Sequence, residues 1–393
     1  MKILFVHNFY KVQGGEETVV QNEINMLKNA GHEVKLFAIT NESINGFFGK
    51  LLVFLETPFS VRSFYKTKRA LREFSPDVVH VHNYFPLISP SVFYACSRAG
   101  IPVVHTLHNY RAICPTALLM NDGHVNETSV LGSPWWALPH KVYRNSYLGT
   151  FALSFMIWLQ RQIGTWTSKV DAYICLTEFS KEIYVRAGWP KNKLFLKPNF
   201  INDSQITTDF DVEISEPYAL YVGRLSDEKG VDLILDAWKG MSMKLVVIGD
   251  GPLKTLMSPE LGNIVYLGKQ PKDKVLGYIN NCQFLIMAST WYEGLPMVLI
   301  EAFAMRKPAL VPKLGGMAEV VLDGVNGVHF TPGSSESLRK HALTLAADPV
   351  LCSKMGKSAR GIFDSSYSEE VNLRLLTDIY SHVINKSHGI EQE

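Results

Sequence analysis

Two doubly wound α/β domains are what this 393-residue chain predicts, on three observations. Short, continuous apolar runs recur at helix-sized intervals, and glycine turns follow several of them. The pattern then breaks once, in an acidic stretch just past residue 200, and starts again. Runs that are apolar at every position, rather than at alternate ones, mark parallel strands buried on both faces. Their alternation with helical periods is the pattern of β-α units wound into a parallel sheet. At roughly 150 residues per domain, the length also asks for two or three domains rather than one.

The first run, Ile3 to Val6, is followed by Gly14 and Gly15. A helical pattern comes next, with Val20, Ile24 and Leu27 on one face, Glu16 and Glu17 in its first turn, and Gly31 placed to end it. Val34 to Ile39, Val78 to Val81, Val103 to Leu107 and Ala172 to Leu176 supply four further strands. Between Phe200 and Pro217 the chain carries Asp203, Asp209, Asp211, Glu213 and Glu216 with little periodicity, which reads as an interdomain linker. Tyr218 to Val222, Lys244 to Ile248, Ile264 to Leu267, Phe284 to Met287 and Ala309 to Val311 then repeat the scheme. Ser366 and Glu369 fit a capping box, and Val371, Leu375, Ile379 and Val383 fall at helical spacing. The expected division is a first domain over 1–200, a second over 201–365, and a last helix, about 366–388, returning to the first.

Composition excludes several classes of function. With 47% hydrophobic and 19% charged residues the chain can bury a core, so disorder is ruled out. The net charge of +2 argues against a nucleic-acid binder. That total conceals a split, because residues 1–199 carry 21 Lys and Arg against 13 Asp and Glu, and residues 200–393 carry 18 against 24. The five cysteines are scattered and form no Cys-x-x-Cys pair, which indicates neither a disulfide framework nor a zinc ribbon and fits a reducing compartment. The N-terminus lacks the apolar core of a signal peptide. The most apolar stretch, Tyr147 to Leu159, is broken by Gly149, Thr150 and Ser154 and is too short to span a bilayer. A cytoplasmic protein is expected.

In open parallel sheets ligands bind at the carboxyl ends of the strands, and two such sheets face to face enclose a cleft, so the residues just after each strand are the informative ones. Gly14 and Gly15 form a turn that could bring backbone N–H groups to a phosphate at a helix N-terminus, or be a turn and nothing more. After Val222 comes Gly223-Arg224-Leu225-Ser226-Asp227-Glu228-Lys229-Gly230. An Arg and a Lys on such a loop suit a diphosphate, the guanidinium chelating oxygens and the ammonium adding a point charge; a solvated charged loop is the plain alternative. Gly249-Asp250-Gly251 lacks the third glycine of a dinucleotide turn. In Trp291-Tyr292-Glu293-Gly294-Leu295-Pro296-Met297-Val298-Leu299-Ile300-Glu301, Pro296 suits the start of a helix. The free N–H groups there, near Met297 and Val298, favour an anion, while Glu293 and Glu301 offer acceptors for hydroxyls. That combination fits a sugar nucleotide.

With these elements in order, the chain resembles the GT-B glycosyltransferases of glycosyltransferase family 4 over nearly its whole length. The matching elements are Gly14-Gly15, Thr106-Leu107-His108, Gly223-Arg224 with Lys229, the Glu, seven residues, Glu spacing of Glu293 and Glu301, and Gly315-Gly316 through Gly327. The resemblance implies two facing Rossmann-like domains with a cleft between them, and retaining transfer of a sugar from a nucleotide diphosphate to an acceptor hydroxyl without a metal cofactor. By position it assigns Arg224 and Lys229 to the diphosphate, Glu301 to the ribose and Glu293 to the donor sugar. His108 goes to the sugar or acceptor side, and amides at Gly15, Met297 and Val298 to the phosphates. Lys197-Pro198-Asn199-Phe200 departs from the family, whose members often have Asn-Gly there.

Other readings compete. A nicotinamide-dependent oxidoreductase would need a complete Gly-x-Gly-x-x-Gly turn, which neither half supplies. A non-catalytic sugar-nucleotide binder would keep the fold without turnover. His80, His82, His105 and His108 have spacings that zinc could use, against which structural histidines are the simpler reading. Asp209-Phe210-Asp211 resembles a metal-binding Asp-x-Asp signature but sits in the linker. Finally, Thr128 to Val170 has no acidic residue and mixes Lys141, Arg144, Arg161 and Lys169 with many aromatics. Gly46 to Arg72 is similar, setting Lys50, Arg62, Lys66, Lys68, Arg69 and Arg72 against Glu56 alone, beside Phe47, Phe48, Leu51, Leu52 and Phe54. Such surfaces dock on anionic membranes or cover a core with a basic edge. Docking on the inner membrane face would point to a lipid-linked glycan acceptor and cell-surface polysaccharide assembly.

Overall fold

Residues Lys2–Phe9 form strand β1, which runs through the middle of a parallel sheet because Ile3, Leu4, Phe5 and Val6 are apolar on both faces and wholly buried. The computed structural model describes residues 1–10, 14–40, 46–202, 206, 212, 214–257 and 262–389. Much of the acidic segment read as a linker, including Asp209-Phe210-Asp211, lies outside the described residues. The chain divides into two units. One comprises Met1–Asn121, Asn126–Pro198 and Asn372–Glu393, and the other Asn199–Val371 with Asp122–Val125.

In the first unit β1 is joined by β2 (Glu33–Thr40), β3 (Val78–Asn83), β4 (Val103–Thr106), β5 (Ala172–Cys175) and β6 (Leu194–Leu196) in the order β2-β1-β3-β4-β5-β6. Every pairing is parallel. In register, Phe5 lies opposite Leu36 of β2 and His80 of β3, so the histidines of β3 enter the sheet beside an apolar strand. The helix Gly15–Asn29 buries Val20, Ile24 and Leu27 as its periodicity requires, together with Glu23, a carboxylate on the same face. The last helix, Glu369–Ser387, buries Asn372, Leu376, Ile379, Tyr380 and Val383. Its start differs from the expected capping box. Ser368, not Ser366, accepts from the Val371 N–H, and Ser366 ends the preceding helix, Pro349–Ser366.

The second unit repeats the scheme with β7 (Tyr218–Val222), β8 (Lys244–Ile248), β9 (Ile264–Gly268), β10 (Phe284–Ile286), β11 (Ala309–Pro312) and β12 (Gly327–Phe330), ordered β9-β8-β7-β10-β11-β12 and parallel throughout. Its core gathers Trp238, Phe284, Leu245 and Leu310, with the indole N–H of Trp238 donated to the Met243 carbonyl at 3.0 Å. Strand order reverses next to β7, whose carboxyl end opens directly into the Gly223–Gly230 loop.

Candidate functional site

The loop after β7 is shaped by glycine. Gly230 has φ +62° and ends a short turn over Asp227–Lys229 before the helix Val231–Trp238. A Cβ there would lie 2.1 Å from the Ala288 carbonyl oxygen. No other residue fits, and the close approach locks the loop onto the chain just after β10. Thr290 N–H donates to the Glu228 carbonyl at 3.0 Å in the same contact. Gly249 is similar, with φ +150° and the Gly223 carbonyl oxygen 1.8 Å from where its Cβ would stand. The Gly249-Asp250-Gly251 sequence therefore serves a crossing of two loops.

This docking brings Lys229 to Glu293. The Lys229 ammonium lies 2.5 Å from Glu293 Oε1, and the Ser289 hydroxyl donates to that same oxygen at 2.5 Å. Glu293 is buried, Lys229 is partly exposed, and the ammonium also sits 5.5 Å from the centre of the Trp291 ring. Arg224 is exposed on the same loop. The helix Met297–Ala304 begins after Pro296, whose φ of −65° suits that position, and Met297 and Val298 are only half-buried at its first turn. Glu301 follows on the second turn, nearly buried, with Lys272 at 3.5 Å. Burial raises its carboxyl above the usual range, against the opposing pull of Lys272. Sequence reasoning did not find Ser289, which carries no motif and gains its role from its distance to Glu293.

In the first unit Gly14 caps the helix Gly15–Asn29. Its N–H donates to Glu17 Oε2 at 2.7 Å, so a carboxylate already occupies one anion-seeking amide of the turn. The neighbouring Glu16 is pushed up to about 8, by burial and by Glu17, and is therefore largely protonated near neutrality. Gly15 is exposed. His108 stands just beyond the end of β4, beside a pocket lined in part by Tyr10, His82, Tyr84, Asn109 and Arg111. Burial first, and His82 second, push its imidazole well below the usual range, so it is neutral at pH 7.

Behind His108 lies a wholly buried polar group. His82 Nδ1 is 2.9 Å from His108 Nε2, and His82 Nε2 is 3.3 Å from Glu23 Oε2. The other oxygen of Glu23 accepts from Lys197 at 2.8 Å. Lys197 also donates to Asn372 Oδ1 at 2.6 Å and to the Pro198 carbonyl at 3.3 Å. His80 is satisfied separately, its ring nitrogens 2.7 Å from the Tyr380 hydroxyl and 2.7 Å from the Thr106 hydroxyl. His105 bonds the Val81 carbonyl at 2.8 Å. Burial alone would raise Glu23, yet Lys197, His82 and His80 together hold it well below the usual carboxylate range. Glu23, His80 and His82 place ligand atoms within 4.8 Å of one another. The Lys197 ammonium already balances that carboxylate, so a divalent cation would enter a site with no spare negative charge.

Comparison with known proteins places both units in one family. Residues 13–205 match the sequence model of Glycosyltransferase Family 4, and residues 205–361 match that of Glycosyl transferases group 1. The chain is 22% identical to an uncharacterized glycosyltransferase of Methanocaldococcus jannaschii, across 98% of this chain and 99% of that one. Over 170 residues, 38% of this chain and 44% of its relative, it is 32% identical to the lipopolysaccharide 1,2-N-acetylglucosaminetransferase of Salmonella typhimurium. Among solved structures it is similar to Anabaena HepE in complex with UDP and glucose, with a TM-score of 0.68 at 19% identity, covering 97% of this chain and 99% of that one. Matched by both models in succession and along its length by that structure, the chain belongs to glycosyltransferase family 4 and is a nucleotide-sugar glycosyltransferase of GT-B fold.

Proposed function

We propose that the enzyme transfers a hexosyl unit, with retention of configuration, from a nucleoside diphosphate sugar to a hydroxyl of a lipid-linked glycan. The observation that carries the donor assignment is the Lys229–Glu293 pair, fixed by the Gly230 contact and by Ser289, in the same unit as the helix start at Met297. On this reading Arg224 and Lys229 hold the diphosphate and the amides of Met297 and Val298 extend the cradle. Glu293 binds hydroxyls of the donor sugar and Glu301 those of the ribose. Gly14 and Gly15 supply further amides, and His108 faces the sugar or the acceptor. Breaking the glycosidic bond leaves negative charge on the diphosphate while positive charge develops at the sugar, so fixed cations beside the former lower the barrier. The leaving oxygen can take the proton of the acceptor hydroxyl on the same face. Charge neutralisation falls to the two side chains rather than to a metal ion. UDP sugars are the first donors to test, since HepE, which this fold resembles, binds UDP and glucose.

The lipid-linked acceptor is supported by the surface of the first unit. The helix Tyr147–Gln162 buries Leu153, Met156 and Ile157 but leaves Tyr147, Leu148, Phe151 and Trp158 exposed, the last two 40% and 38%. Phe54 stacks on Phe151 at 6.3 Å, and Leu52 and Leu55 on its helix, Gly46–Glu56, are exposed as well. The side chains of Phe47, Phe48, Lys50 and Leu51 lie outside the described residues. Exposed large apolar groups with basic neighbours such as Lys66, Lys141 and Arg144 suit the inner face of an anionic membrane. Trp166, by contrast, is core, stacked on Trp189 at 5.3 Å. The tests are direct. Nucleoside diphosphate release across a donor panel should require acceptor and retain the anomeric configuration, and a panel giving neither transfer nor hydrolysis would indicate a binder instead. Co-sedimentation with anionic liposomes at low salt should succeed, and its absence would refute docking.

A further inference from the structure

The polar group behind His108 has a direction. An ammonium has three hydrogens, and those of Lys197 meet three acceptors, the Glu23 carboxylate, the Asn372 side-chain carbonyl and the Pro198 carbonyl. Lys197 and Glu23 are both fully buried, so the charges balance each other and leave none over for a third ionised group. His82 is also buried, and a cationic ring there would have no counter-charge. A neutral ring carries one N–H. Glu23 Oε2 and His82 Nε2 are both buried without a hydrogen-bond partner among the described residues, and they face each other at 3.3 Å. His80 Nδ1 is 3.7 Å from that oxygen and already engaged with Tyr380. An ionised carboxylate can only accept, so the hydrogen of His82 belongs on Nε2. Its Nδ1 then holds a lone pair and can only accept, at 2.9 Å, from His108 Nε2.

We infer that Glu23 and His82 are positioning residues that fix His108 as the tautomer protonated on Nε2, so that His108 presents an unprotonated Nδ1 to its pocket. The tautomer of one ring nitrogen is set by the bond the other makes. The consequence is a choice of ligand group. An Nδ1 lone pair accepts from a hydroxyl and repels a phosphate oxygen, so His108 contacts a hydroxyl of the transferred sugar or of the acceptor, not the diphosphate. This rests on the proposed placement of His108 against substrate, and the test separates the two.

The tautomer is read by long-range proton–nitrogen NMR on the intact protein labelled with 15N-histidine, the His108 signals being assigned by their loss in His108→Gln. The expected result is a pyridine-like Nδ1 and a pyrrole-like Nε2. A pyrrole-like Nδ1, or an average of the two forms, overturns the inference whatever the activity. His82→Phe removes both nitrogens and should release the tautomer, lowering kcat about 10- to 100-fold with donor KM little changed. His82→Gln can still accept from His108 and donate to Glu23, and should restore both the spectrum and most of the rate. An unchanged His108 spectrum in His82→Phe also overturns it. Wild-type turnover in His108→Gln would instead remove the substrate-facing role of His108, while the spectra still decide the tautomer.

Discussion

Replacing Lys197 with Met removes the one cation that neutralises Glu23 and leaves a carboxylate in a site with no solvent exposure. At 2.8 Å the pair attracts by about 6 kcal/mol at an effective dielectric of 20, and desolvation of both groups offsets part of that. Breaking such a pair from one side typically costs about 3–5 kcal/mol, which is a large share of the roughly 5–15 kcal/mol that stabilises a domain. The sign with pH reverses as well. In the wild type Glu23 is held below its ordinary pKa, so its contribution is complete above that ordinary value and is lost as pH falls through the folded one. In Lys197→Met, burial is opposed only by the histidines and the folded pKa rises. The unfolded chain then ionises more readily, and stability falls as pH climbs from about 5 toward 8. Urea denaturation at several pH values, followed through the Trp166 and Trp189 cluster of the first unit, measures this. A loss below about 1 kcal/mol at pH 7, or a mutant with no added pH slope, would show that Lys197 does not hold Glu23 ionised. The double change Lys197→Met with Glu23→Leu should recover much of the loss, because an apolar pair of similar volume leaves no buried charge.

Glu293→Ala and Lys229→Ala should each reduce turnover by about 100-fold or more in a second unit that still folds, and near wild-type rates in either would remove its assigned role. Ser289→Ala loosens Glu293 without deleting it and should give a smaller defect of the same kind in kcat. Glu301→Ala should raise donor KM more than it lowers kcat, as expected for a group binding a remote part of the substrate. In the wild type, donor affinity should weaken on acidification at a pH above the usual carboxylate range, because Glu301 titrates high. Gly230→Ala forces a Cβ to 2.1 Å from a carbonyl oxygen at positive φ and should destabilise the second unit by about 1–3 kcal/mol, read by its unfolding midpoint. Turnover should be insensitive to EDTA, and activity lost to chelation and restored by Mg²⁺ would contradict the assignment of charge neutralisation to Arg224 and Lys229.

The strands were legible wherever burial on both faces makes every residue apolar, as in Ile3–Val6 and Tyr218–Val222. Two edge strands, β2 and β9, were also read, from Val34 to Ile39 and Ile264 to Leu267, but the opposite edges were not: β6 holds only Leu194, Phe195 and Leu196, and β12 interposes a half-buried His329 before Phe330, so neither makes a recognisable run. The residues proposed for the donor side, Arg224, Lys229, Glu293 and Glu301, were visible because they follow strand ends in loops and in the first two turns of a helix. The network behind His108 was not. Lys is almost never fully buried unless paired, and the partner that makes Lys197 tolerable lies 174 residues away in sequence at Glu23. Lys197-Pro198, where the chain departs from the family pattern, closes the first unit, with Lys197 pinned to Glu23 and Asn372. Asn199, the first residue of the second unit's main segment, donates to the Leu295 carbonyl at 3.0 Å.

Arg224 and Lys229 are the residues proposed to bind the diphosphate of a sugar nucleotide. Calorimetric titration of wild type, Arg224→Ala and Lys229→Ala with UDP, GDP, ADP and CMP tests this most directly. One nucleoside diphosphate should bind the wild type, and each substitution should weaken it at least about tenfold, the roughly 1.4 kcal/mol of one charge-assisted contact. Equal affinity for all three proteins would remove both side chains from the diphosphate site.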